Sequence, residues 1–487
     1  MSVTQTDPVA EAAPALPQKG AQVELTIDSL AYGGQGVARH EGFVVFVAKG
    51  AVPGERVLAL ITRRRKGFAE ARVLEVLAPS PAAAQPDCAH FGVCGGCASQ
   101  NYRYDQQLAQ KQAQVVDLFT RMGRFENPDV RPIIGCEQTY HYRNKMEFTF
   151  SNHAWVLNAE DIDQAPSRAL GLHVPGRYDK VLDIDACSIQ HPVGNEILQL
   201  VKSRAAQLEL EPYDIKTHRG FLRYLVIRVA GGLSSDLQVM VNLVTSREAT
   251  GRLKPLVDDL VAAFPQVVSV VNNINTKKAG IALGEWEVLL HGKSTITEHL
   301  RGFAFDISAN SFFQTNTRQA EVLYEQIVKA CALTGDEVVY DLYCGTGTIT
   351  LALAGHAREL AGFESVSSAV DDAARNAMLN EVFNVRFFSA DLSSRYFTQH
   401  EKRLTQQIGP PDIIVADPPR AGMHPKLIDE IVALSPRKVV YVSCNPATQV
   451  RDVRLLCEGG YELRYLQPVD MFPHTPHVEN ICVMERS

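Results

Sequence analysis

Nowhere in the 487 residues does an apolar run reach the roughly 18 needed to cross a bilayer, so no helical membrane span can be assigned. The opening stretch MSVTQTDPVAEAAPALPQKG lacks both the basic and the apolar segment of a secretory signal. Residues 1–19 are therefore expected to be a disordered lead-in to a cytoplasmic protein without a membrane partner. An excess of cations is missing as well: 48 Lys+Arg stand against 55 Asp+Glu, a formal net charge of −7. That excludes a uniformly basic nucleic-acid binder and leaves room for local basic patches. Ten cysteines are too few for a disulfide scaffold in a chain this long. Where cysteines cluster in a reducing compartment, metal ligation or catalysis is the better reading. No internal repeat is visible, and no obligate protein partner is implied.

What is abundant is material for cores. Hydrophobic residues make up 46% of the chain, and its length predicts two to four domains. From Val23 to Leu77, short β-rich runs alternate with glycine turns, the pattern of a small β-barrel over residues 20–79. Its segment ITRRRKGFAEAR brings together Arg63, Arg64, Arg65, Lys66 and Arg72, enough charge to lean on a phosphate backbone or simply to solvate a hairpin. A Pro/Ala-rich linker then leads into PDCAHFGVCGGCASQ, where Cys88, Cys94 and Cys97 have a C-x5-C-x2-C spacing. A helix, YDQQLAQKQAQVVDLFTRM, follows. β-rich segments with a few helices make residues 80–305 a mixed α+β domain.

Past Phe305 the rhythm becomes strand and helix in alternation, which predicts an α/β domain over 306–487 with a doubly wound parallel sheet. Every polar motif there stands at the carboxyl end of a predicted strand. VVYDLYCGTGTIT ends a strand in Asp341 and opens a helix with Gly345 and Gly347, a turn that lets backbone approach a ligand. The turn alone would also suit a dinucleotide. Glu364 in LAGFES, after the next strand, is placed to take two ribose hydroxyls, and Asp391 in FFSADL could meet an adenine edge or cap a helix. Together these acids favour S-adenosylmethionine over NAD.

Two further strand ends carry chemistry. ADPPRAG supplies Asp417 and, where a base-nitrogen methylase would have an aromatic residue, Arg420. VSCNPAT supplies Cys444 and Asn445. Carbon 5 of a pyrimidine is a poor nucleophile until a thiolate adds at carbon 6, so one positioned thiolate and one base define a route to carbon methylation. Cys444 is the candidate thiolate. PVDMFPHTPHVENICV offers Asp470, His474, His477 and Glu479, and Glu479, leading an apolar strand, is the candidate base. The plainer alternative makes Cys444 a buried small hydrophobe, as expected of Cys331, Cys457 and Cys482; Cys344 is the other thiol to test.

With SFFQTN, DLYCGTGT, DPPRAG, VSCNPAT and DMFPHTPHVE present in this order, the chain resembles the S-adenosylmethionine-dependent RNA uracil-C5 methyltransferases, in particular the bacterial 23S ribosomal RNA branch. The resemblance implies an OB-like TRAM barrel that binds RNA, a Rossmann-like methyltransferase domain, Cys444 as nucleophile and Glu479 as general base. For the cofactor it implies Gln314, Tyr343, Glu364 and Asp417, with Asp391 as a further contact and Thr348 where relatives have Asn. It also implies a 4Fe-4S cluster on Cys88, Cys94, Cys97 and Cys187, although four thiolates alone suit zinc equally. Arg143 and Lys145 in YRNK are expected to grip phosphates. The substrate expected is 23S rRNA; tRNA is the alternative, and a non-catalytic RNA-binding or folding factor is the rival of another class.

Overall fold

The computed structural model describes residues 17–156, 166–231 and 236–487, so most of the expected lead-in lies outside the described residues. The chain forms two compact units, one reaching to Pro86 and including Ala98–Gln110, the other comprising Asp87–Cys97 and Lys111–Ser487.

In the first unit, strands β1 (Gln22–Leu30), β2 (Gly36–His40), β3 (Phe43–Val47), β4 (Arg56–Arg64) and β5 (Ala69–Ala78) close a barrel in the order β1-β2-β3-β5-β4. Alternation of side chains dictates which residues fill it: Leu25, Ile27, Val45, Val47, Val57 and Ile61 are buried. Gly36 allows the close approach, since a Cβ there would lie 3.0 Å from that of Ala51. Arg63, Arg64, Arg65 and Lys66 stand exposed at the β4–β5 turn, where the sequence put a basic hairpin.

Helix α1 (Tyr104–Asp117) runs on into a π-helical turn over Leu118–Met122. The middle sheet of the second unit is built from β6 (Lys145–Ser151), β7 (Ala169–Val174), β8 (Arg177–Asp183), β9 (Leu222–Ala230), β10 (Gln238–Thr245), β11 (Val267–Ile274) and β12 (Trp286–Gly292), in the order β12-β11-β10-β9-β6-β7-β8. Its central strands are near-continuously apolar because both faces are covered. Helices α2 (Pro192–Gln207) and α3 (Thr250–Ala263) pack Leu198, Val201, Leu256 and Leu260 against Leu225, Ile227 and Val241. On the other face Met240 and Val271 share a core with the hairpin β13 (Thr295–Leu300) and β14 (Phe303–Ser308).

The remaining elements are α4 (Thr317–Cys331), β15 (Val338–Leu342), α5 (Thr348–Ala354), β16 (Glu359–Glu364), α6 (Ser367–Leu379), β17 (Val385–Ser389), α7 (Tyr396–Gln407), β18 (Ile413–Ala416), α8 (Pro425–Leu434), β19 (Lys438–Ser443), α9 (Pro446–Glu458), β20 (Tyr461–Val469) and β21 (Glu479–Arg486). The sheet order is β17-β16-β15-β18-β19-β21-β20, parallel except for β21, which runs against both neighbours. Strand order reverses direction between β15 and β18, and a doubly wound sheet opens its ligand crevice at the carboxyl ends beside that point.

Candidate active site

β15 is buried along its whole length, including Asp341, whose carboxylate accepts a 2.6 Å hydrogen bond from the Thr350 hydroxyl. Burial, reinforced by the nearby charges of Asp417 and Glu364, pushes the Asp341 carboxyl up to about 7. The loop after it bends through left-handed conformations at Tyr343 (φ 64°), Gly345 (φ 54°) and Gly347 (φ 83°), which glycine tolerates and tyrosine adopts only under constraint. A Cβ at Gly345 would meet nothing within 4 Å, so the loop faces open space.

Glu364, closing β16, receives the Gly345 N–H at 3.2 Å on one oxygen. Its other oxygen receives the N–H groups of Ser365 at 2.7 Å and Val366 at 2.9 Å. The carboxylate is thereby fixed beside the glycine loop, where two ribose hydroxyls could add their donors. Asp391, after β17, accepts from the Ser393 N–H at 2.9 Å and hydroxyl at 2.6 Å, which hold its carboxyl below the usual range. It closes a turn; the residue capping α7 is Arg395, so the helix-cap alternative for Asp391 is not what forms. Tyr343 lies within electrostatic reach of Glu364 and Asp391, and burial raises its phenol to about 12.

The second half of the site lies at β18, β19 and β21. In the antiparallel pairing Ser443 faces Asn480, so Cys444 and Glu479, each one step further along, emerge at the same edge. Cys444 is half-buried and Glu479 is 5% exposed. Burial, then the charges of Glu479 and Asp417, push the Cys444 thiol up to about 11, while a hydrogen bond and the charge of Arg420 pull it back. Glu479 is likewise raised by burial and by Asp417, with Arg420 opposing. Asp417 keeps an edge open to solvent, yet enough protein surrounds it that burial raises it too. Two carboxyls and a thiol share one guanidinium here, so their titrations are linked.

Arg420 is held at both ends. Its carbonyl accepts from Asn445 Nδ2 at 3.0 Å and Thr448 Oγ1 at 3.1 Å, and its Nη2 lies 2.8 Å from His477 Nδ1. Sequence reasoning used Arg420 only to weaken nitrogen methylation; its position four residues past the end of β18 was the available signal. Tyr324 had no signal. Its hydroxyl sits 3.0 Å from Thr348 Oγ1, and burial with Asp417, Asp341 and Glu479 nearby suppresses its ionisation. Gln314 stands before α4, its carbonyl accepting from Asn144 Nδ2 at 2.9 Å, and Asn316 caps the helix while donating to the Met471 carbonyl at 3.0 Å. Burial, then the charges of Asp341 and Glu364, push the Cys344 thiol well above its ordinary value and oppose a thiolate there.

The other sulfurs lie elsewhere in the same unit. Cys94 feels the charges of Cys187 and Cys88, and Tyr140 those of Cys97 and Cys88, so the four thiols share one neighbourhood. The Gly96 N–H points at Cys94 Sγ at 3.3 Å, and the N–H groups of Ile189 and Gln190 point at the Cys187 sulfur. Burial outweighs these N–H···S contacts, pushing the Cys94 thiol up to about 11 and raising that of Cys187, while the N–H groups pull both back. Among the described residues no three His, Cys, Asp or Glu side chains converge tightly enough to hold a single metal ion. The expected ligand set is therefore gathered but not closed on one ion. A cuboidal cluster is larger than an ion and holds its thiolates further apart, so the donor set remains a chemical fit for it.

A family model of tRNA (uracil-5-)-methyltransferases matches residues 256–487, and a TRAM domain model matches residues 18–74. An uncharacterized RNA methyltransferase of Chlorobaculum tepidum is 44% identical over 96% of this chain and 97% of its own length. One from Porphyromonas gingivalis is 42% identical over 95% of this chain and all of its own. The crystal structure of Pyrococcus abyssi tRNA (uracil-54, C5)-methyltransferase in complex with S-adenosyl-L-homocysteine superposes with a TM-score of 0.72 at 27% identity, covering 95% of this chain and 100% of that one. The chain belongs to the S-adenosylmethionine-dependent RNA uracil-5 methyltransferases, with a TRAM barrel at its amino-terminal side. It is an RNA-modifying enzyme, which sets aside the non-catalytic alternative.

Proposed function

We propose that the protein methylates carbon 5 of a uridine in 23S rRNA through a covalent adduct on Cys444. The observation that carries this reading is the shared edge of Cys444 and Glu479, fixed by the Ser443–Asn480 register, with Arg420 against the thiol. Cys444 adds to carbon 6 of an extruded uracil, which makes carbon 5 nucleophilic. S-adenosylmethionine, held by Glu364, Tyr343, Gln314 and Asp417 with Asp391 at the adenine end, supplies an electrophilic methyl group. Glu479 then takes the carbon 5 proton, and the thiolate leaves carbon 6 as the ring double bond re-forms. Burial and Asp417 both raise the proton affinity of Glu479, which suits a base that must accept a proton from carbon.

The exposed cations of the barrel hairpin, with Arg143 and Lys145, are assigned to the RNA backbone. Cys88, Cys94, Cys97 and Cys187 are assigned to a 4Fe-4S cluster with a structural role, supported by their gathering and by the N–H groups aimed at two of the sulfurs. Cytoplasmic location fits an RNA-modifying enzyme. The preference for 23S rRNA rests on the barrel together with the cysteine set. tRNA is the second reading, favoured by the description of the matching family model and by the Pyrococcus abyssi enzyme. Mass mapping of 5-methyluridine in both RNA classes from a deletion strain decides between them. Loss of methylation from 23S rRNA supports the first reading, and loss from tRNA alone refutes it.

A further inference from the structure

The segment from Asp470 to Glu479 joins β20 to β21 and carries His477 and Glu479 into the site. Its first half is pinned from several directions. Lys111 Nζ lies 2.7 Å from Asp470 Oδ1, with both side chains buried, and 3.2 Å from the Phe472 carbonyl. Cys136 Sγ donates to the Asp470 carbonyl at 3.0 Å, Asn316 Nδ2 to that of Met471 at 3.0 Å, and the Tyr142 hydroxyl to that of Pro473 at 3.1 Å.

At His474 the chain turns through a left-handed conformation (φ 64°), sparsely populated for a residue with a Cβ and kept only where the surroundings impose it. The residue is 4% exposed, and its ring lies against Tyr140 with centroids 4.4 Å apart and planes inclined by 31°. Tyr140 faces the other way as well: it makes a hydrogen bond to the backbone of Asp87, next to Cys88, and lies within electrostatic reach of Cys88 and Cys97. One aromatic side chain thus touches the cysteine loop on one side and the strained turn of the catalytic segment on the other. Three residues past that turn, His477 meets Arg420, which in turn meets Cys444.

We propose that Tyr140 and His474 form a brace by which the cysteine site holds the 470–479 segment in its strained turn, and so keeps Glu479 and the His477–Arg420 pair against Cys444. Tyr140 is then a positioning residue for the reaction, and the cysteine site contributes to catalysis mechanically, without touching substrate. The inference rests on the methyl-transfer reading and on the cluster reading above, but its first readout depends on neither. Losing one aromatic pair of this geometry loosens a local turn without unfolding the unit.

The test uses the full chain, purified anaerobically, as wild type, Tyr140→Phe, Tyr140→Ala and His474→Ala. Hydrogen–deuterium exchange is read over peptides spanning 470–479, with kcat and KM for RNA measured on the same preparations. The brace predicts exchange at least severalfold faster in Tyr140→Ala and His474→Ala. It predicts a fall in kcat of about tenfold with KM changed less than twofold, and an effect of intermediate size in Tyr140→Phe, which keeps the ring contact with His474 but loses the hydrogen bond to Asp87. Removing iron with a chelator should loosen the same peptides in the wild type and add little in Tyr140→Ala. Unchanged exchange over 470–479 in both alanine variants overturns the brace, whatever the activity. Wild-type protein that transfers no methyl group to RNA overturns the methyl-transfer reading instead. If Tyr140→Ala fails to fold, His474→Ala and Tyr140→Phe still decide the question.

Discussion

Cys444 and the Cys88/Cys94/Cys97/Cys187 group present the same functional group in two kinds of surroundings. The four gathered thiols have one another and backbone N–H groups for company. Cys444 has two carboxyls, which oppose a thiolate, and one guanidinium, which favours it. Sulfurs clustered with N–H donors are suited to share a metal group, and a single sulfur between an acid and a cation is suited to attack and leave. On the proposed reading, neighbours, more than the residue type, separate ligand from nucleophile.

The comparison breaks most sharply at Cys444. Cys444→Ala should lower single-turnover methyl transfer by about 10^4-fold or more while leaving cofactor affinity, measured by calorimetry, nearly unchanged. Transfer at a comparable rate would reassign the nucleophile. Glu479→Gln should slow turnover by about 10^2–10^4-fold and, because the carbon 5 proton is then not removed, build up a denaturation-resistant protein–RNA adduct on gels.

Lys111→Ala tests the framework around these groups. It leaves Asp470 as a buried charge without its cation and should cost about 3–5 kcal/mol, seen as a lower denaturant midpoint of the second unit. The smallest effect expected is in the pH profile. An ordinary glutamate titrates near about 4.3, whereas Glu479 is raised, so its base form grows only as pH rises through the neutral range. Methyl transfer should therefore increase from about pH 6 to 9, and Asp417→Asn, which removes a raising charge, should move that limb to lower pH.

Much of the proposed site was legible from the sequence, because a doubly wound sheet brings the residues after its parallel strands to one edge. Asp341, Glu364, Asp417 and Cys444 could be read from apolar runs that stop at a polar residue, and Glu479 from the run that starts after it. Ala416 pairs with Tyr441 and Ser443 with Asn480, registers that no local pattern encodes, and these registers make neighbours of Asp417, Cys444 and Glu479. For the same reason Tyr324, Tyr140 and the Lys111–Asp470 pair were invisible: each acts through a contact between residues up to 359 positions apart. β7 is apolar but short and interrupted by Gly171 and His173, and β8 is largely charged, so neither carries the long apolar signal of the central strands. Asp391 was found as a residue at the right strand end, but its turn-closing role depends on Ser393, two positions on.

The covalent role of Cys444 is tested most directly by incubating the full chain and S-adenosylmethionine with substrate RNA carrying 5-fluorouridine at the target position. Fluorine at carbon 5 cannot be removed as a proton, so an adduct once methylated has no route to release. A protein–RNA complex that survives denaturing electrophoresis with wild type and is absent with Cys444→Ala is the predicted result. No complex with wild type, or an undiminished complex with Cys444→Ala, would contradict it.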